Sequence, residues 1–108
     1  MSTPVQPMVM PIRVQRRRTK GFRLPANTKC VTRPGPWGNP FESATEFAEA
    51  MECCSELRHV PDWMDFEKGQ RILWMIEHLD ELRGLNLACW CGPGKLCHAD
   101  HLLAWANC

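Results

Sequence analysis

Residues 85–105 read LNLACWCGPGKLCHADHLLAW, and the fold class turns on how this stretch is parsed. Leu85 to Cys91 is a compact apolar run of the kind that forms a buried strand. Gly92-Pro93-Gly94 turns the chain, and His98 to Asn107 follows as a helix carrying Leu102, Leu103 and Trp105. A buried strand feeding a helix through a Gly/Pro turn is the unit of an α/β domain.

Upstream of this stretch lie two helices. Asp65 caps one whose Ile72, Leu73, Ile76, Leu79 and Leu82 form an apolar stripe, with Gly84 as its stop. Ser43 and Glu46 make a capping-box pattern before Phe47, Met51 and Cys54, giving a helix over about residues 43–58. Earlier still, Ile12 and Val14 alternate with Arg13 and Gln15, and Lys29 to Thr32 is a second β-prone run. Between Arg33 and Phe41, three prolines and two glycines exclude regular structure and describe a rigid, shaped loop. The order β, β, loop, α, α, β, loop, α predicts a small two-layer or three-layer α/β domain. It has a short mixed or parallel sheet of about three strands and three helices. Ligands in such folds sit beyond the C-terminal strand ends, so the Trp37–Pro40 and Cys91–Cys97 loops are expected to share a pocket.

A chain of 108 residues has room for one modest core, expected over residues 12–108, with 1–11 as a loose tail rather than a signal peptide. No apolar run approaches the roughly 20 residues that cross a bilayer, so a membrane partner is not expected. The net charge of +1 hides an asymmetry: residues 1–41 hold eight basic residues and no acid, and the rest holds twelve acids and five bases. Either an anionic partner or internal pairing, for example with Glu42, Glu46, Glu49, Glu52 and Glu56, would absorb that split. The seven cysteines are odd in number and lack a secretory context, which favours reduced thiols in a cytoplasm.

Three readings of the C-terminal segment stay open. Cys89 and Cys91 share one face of a strand, Cys97 sits at a helix mouth and His101 lies one turn on, which makes a Cys3His zinc set. In the second reading Cys97, at the positive end of a helix, is a reactive thiol, with His98 and Asp100 as its catalytic neighbours. In the third, the Gly-Pro-Gly turn and helix start seat a phosphate-bearing ligand such as a nucleotide. Lys95, His98 and Arg33 would supply charge, and Trp37, Gly38, Asn39 and Cys91 would supply the walls. Each has a bland counterpart: small core cysteines, a capping Asp100, or a loop that only shapes the chain. Arg16, Arg17, Arg18, Lys20 and Arg23 could contact a nucleic-acid backbone, with Phe22 available to stack. Trp63 and Trp74 are expected in the core, Trp37 and Trp90 in a pocket wall, and His59 and His78 on the surface.

Arg17-Arg18-Thr19-Lys20-Gly21, the Arg33-Pro34 and Trp37-Gly38-Asn39-Pro40-Phe41 loop, Leu82-Arg83-Gly84, Cys89-Trp90-Cys91 and Cys97-His98-Ala99-Asp100 together carry a resemblance. They resemble the bacterial and bacteriophage family known as domain of unknown function 4326, over about residues 17–107. The resemblance implies a compact α/β domain of bacterial or phage origin, located in the host cytoplasm if phage-encoded, and no particular reaction. Its pattern covers Trp37, Gly38, Asn39, Pro40, Cys89, Cys91, Cys97, His98 and Asp100, with no histidine where His101 stands. The leading expectation is a site for a nucleotide or nucleic-acid element, with Cys97 reactive. The alternative is a non-catalytic, zinc-stabilised module of a phage factor that binds a host protein or nucleic acid.

Overall fold

The computed structural model describes residues 11–92 and 94–107, so the tail expected over 1–11 falls, Pro11 aside, outside the described residues. Strands β1 (Arg13–Gln15) and β2 (Thr28–Cys30) come first, followed by helices α1 (Ala44–Leu57) and α2 (Phe66–Glu77). A 3₁₀ turn (Leu79–Leu82), strand β3 (Asn86–Cys89) and helix α3 (His98–Ala106) complete the order. The sheet runs β1-β3-β2 and is parallel throughout, as the α/β reading requires.

β3 takes the central place because it can be buried on both faces. Leu87, Ala88 and Cys89 are all buried, the near-continuous apolar run of a covered parallel strand. Register pairs Val14 and Cys30 with Ala88, and Arg13 and Lys29 with Leu87. The ladder continues past the formal strand ends, with Arg16 N–H donating to Cys89 O (2.7 Å) and Val31 N–H to Ala88 O (3.0 Å).

Both main helices begin where the caps predict. The Ser43 hydroxyl accepts from Glu46 N–H (3.1 Å), and the Asp65 carboxylate accepts from Lys68 N–H (3.0 Å). α1 buries Phe47, Ala50, Met51 and Cys54 along one stripe. α2 is shorter than its apolar stripe suggests. His78 Nδ1 lies 2.7 Å from Trp74 O, and the ring stacks on the Trp74 indole at 4.2 Å, so the chain leaves the α-helix there and tightens into the 3₁₀ turn. His78 is therefore half-buried and structural rather than an ordinary surface residue. Gly84, at φ +79°, ends the segment as expected.

α3 packs on β3, β1 and α1, and α1 packs on α2. The core holds Phe47, Met51, Ile72, Met75, Leu82, Leu87 and Leu102. Two tryptophan expectations are reversed. Trp63 is exposed, whereas Trp37 is buried in the core 5.0 Å from Trp74. Among the described residues no helix is long and apolar enough to cross a membrane.

Candidate functional site

The β3–α3 segment brings three cysteines together. Cys89 ends β3, Cys91 follows two residues on, and Cys97 is the N-cap residue of α3. Their sulfur atoms all lie within 4.8 Å of one another. A tetrahedral zinc with Zn–S bonds of about 2.3 Å needs sulfurs about 3.8 Å apart, within reach of small side-chain rotations.

The three thiols are not equivalent. Burial works against ionisation of Cys97, yet the His98 ring, the Ala99 N–H at the helix start and the Cys91 and Cys89 thiols together bring its pKa down to about 6. Cys97 Sγ lies 3.8 Å from His98 Nδ1, and its side chain forms no formal cap bond. Burial pushes Cys89 up to about 12, aided by the neighbouring Cys97 sulfur. Cys91 is raised by burial and by the same sulfur, with Arg13 partly offsetting it. Cys97 is thus the most readily ionised of the three.

Around the sulfurs opens a cleft of about 280 Å³. Thr32, Arg33, Asn39, Glu42, Trp90, Cys91 and Leu96 line it, with His98 among the remaining wall residues. The two loops predicted to meet do so here, held by His98. Its Nε2 lies 2.8 Å from Val31 O and 3.0 Å from Trp37 O, so that nitrogen carries the proton and donates to both carbonyls. Asn39 closes the loop from within: its Oδ1 accepts from Phe41 N–H (2.8 Å) and its Nδ2 donates to Ser43 O (3.1 Å). Arg33 Nη2 donates to Phe41 O at 2.8 Å. Gly38 passes so close to Arg33 that a Cβ would sit 2.9 Å from its Cα.

Of the residues expected at a ligand site, Arg33, Asn39, Cys91, Cys97 and His98 line the cleft, while Trp37, Gly38 and Lys95 do not. Asp100 bonds the largely buried Arg13 at 2.9 Å. Arg13 also donates to Lys95 O (2.8 Å) and Gly92 O (3.0 Å). It thereby ties β1 to the loop that carries the cysteines. His101 is half-buried and stands outside the three-sulfur group. At the α3 start the Ala99 N–H faces the Cys97 sulfur and the Asp100 N–H donates to Cys97 O (3.1 Å).

Sequence reasoning missed Arg13 as a positioning residue and Thr32 and Glu42 as cleft residues. A lone arginine inside a strand was the available signal for the first. Of the basic stretch, Arg16 donates to Thr32 Oγ1 and Cys30 Sγ at 3.2 Å each, and both Arg16 and Arg18 lie over the Trp90 ring. Arg17, Lys20 and Arg23 are exposed.

No curated protein and no solved structure matches the chain. The family described as Domain of unknown function (DUF4326) matches over residues 14–108, nearly the whole sequence and all of the site. The chain therefore belongs to the DUF4326 family.

Proposed function

We propose that the protein is a zinc-binding domain in which Cys89, Cys91 and Cys97 hold the metal as thiolates and a ligand in the adjoining cleft takes the fourth position. The convergence of the three sulfurs to within 4.8 Å carries this reading. Three soft donors favour zinc over magnesium or calcium, which take oxygen. The charge of three thiolates on one divalent ion is moderated by Arg13, close enough to lower the Cys91 pKa, and by the positive end of α3. The Ala99 N–H and the His98 ring act behind Cys97 as outer-shell partners. A phosphate-bearing ligand is the class favoured for the cleft, because Arg33 lines it and is itself exposed.

A second reading rests on the same sulfurs. With Cys97 held as a thiolate and two thiols beside it, the group is also a reactive-thiol site. Metal analysis separates the two. Protein purified without chelator should carry about one zinc per chain, and cobalt(II) should give a thiolate charge-transfer band that Cys91→Ser and Cys97→Ser abolish. A folded protein with neither zinc nor the band overturns the metal reading. The thiol reading then requires one cysteine, Cys97, to be alkylated far faster than the rest.

A further inference from the structure

Among the described residues only two ion pairs form, Arg13–Asp100 and Arg83–Asp80. The acids of α1 therefore do not neutralise the basic segment that follows β1. Arg16, Arg17, Arg18, Lys20 and Arg23 fall within eight residues and have no carboxylate partner there. The segment is irregular, with a turn closed by Phe22 N–H on Thr19 O (3.0 Å). Against it stands Trp90, 42% exposed although the Arg16 and Arg18 guanidinium groups lie 4.5 and 5.1 Å from its ring centre. Trp90 directly follows the last residue of β3 and lines the same cleft as the three cysteines, with part of its indole left in solvent.

We infer that this face, the β1–β2 connection together with Trp90, binds single-stranded nucleic acid. The cations track the phosphates, and Trp90 offers a stacking platform for a base. The Arg16 guanidinium is held by Thr32 and Cys30 as well as by the indole, whereas the exposed Arg18 can turn its N–H edge to a phosphate. Single strand is favoured over duplex because the segment is neither a helix nor a ribbon that fills a major groove, and because stacking needs an unpaired base. A membrane surface is disfavoured because the segment forms no amphipathic helix. The inference uses no sulfur ligand, so a protein that proves to be zinc-free leaves it standing.

The test is fluorescence anisotropy with labelled 20-nucleotide oligothymidylate and oligouridylate, which also decides between DNA and RNA. Affinity should fall with salt at a log–log slope of about −3 to −4, from roughly 0.7 per phosphate contacted. The exposed triple variant R17E/R18E/K20E should bind at least about 30-fold more weakly. Trp90→Ala should lose on the order of tenfold for the single strand, with Trp90→Phe recovering most of it. Binding of phosphatidylserine vesicles but neither oligonucleotide overturns the inference. So does an unchanged affinity in either the charge-reversal variant or Trp90→Ala.

Discussion

Besides facing Cys97 through Nδ1, His98 has a structural duty at Nε2 whose loss can be weighed. In His98→Ala the carbonyls of Val31 and Trp37 lose their shared donor while remaining packed beneath the loop. An unsatisfied buried acceptor costs about 1–3 kcal/mol, and we take the lower end for each because the two share one proton. The edge contact of the ring with Phe47, 5.4 Å between centroids, is lost as well, for about 1 kcal/mol more. The sum is about 3 kcal/mol, a large share of the 5–15 kcal/mol typical of a domain. At about 4–8 °C per kcal/mol for a chain this size, Tm should drop by about 12–24 °C. His98→Gln places an amide N–H near the Nε2 position and should recover at least half of the loss. Urea denaturation of chelator-treated protein measures both variants without a contribution from metal. A loss below about 1 kcal/mol for His98→Ala, or no difference between Ala and Gln, would refute the role as a donor that pins the loop.

Gly69→Ala should destabilise α2 although alanine is the better helix former by about 1 kcal/mol. A Cβ there would lie 2.6 Å from Val60 Cγ2 and closer still to Cγ1, so a net loss of about 1–2 kcal/mol by urea titration is expected, and a gain would contradict the packing. In chelator-treated protein, Cys97 ionises at about 6 when folded against an ordinary 9.0, so the unfolded chain binds more protons between those values. Stability should therefore rise with pH across that window. Cys89, at about 12, works in the opposite sense above pH 9, so the urea midpoint should peak near there. Cys97→Ser should flatten the rising limb, and a wild-type midpoint that is level from pH 6 to 9 would contradict the assignment.

What could be read in the chain was governed by short-range rules. Ser43 and Asp65 announce helix starts because the caps act within three residues. Cys89 and Cys91 could be put on one side because strands alternate. Matters decided at long range were not legible. Trp37 and Trp63 carry the same side chain, and only the docking of the Pro-rich loop on Trp74 makes one core and leaves the other exposed. The end of α2 depends on a bond from the His78 ring to a carbonyl four residues back, which the apolar stripe does not encode. Arg13 read only as a polar residue alternating with Ile12 and Val14 in a short strand. Its partners, Asp100 and the Lys95 and Gly92 carbonyls, come from the far end of the chain.

The insertion of β3 between β1 and β2 has a consequence for the order in which the protein is made. β1 and β2 do not touch as neighbours, and each finds its partner only in residues 86–89. During synthesis β2 leaves the ribosome about 56 residues and β1 about 71 residues before that partner, a wait of about 3–14 s at ordinary elongation rates. Through that interval the sheet has no central strand, because the two edge strands do not pair with each other. One short stretch then supplies the missing strand and two of the three sulfurs, so sheet closure and assembly of the cysteine centre become nearly a single late event.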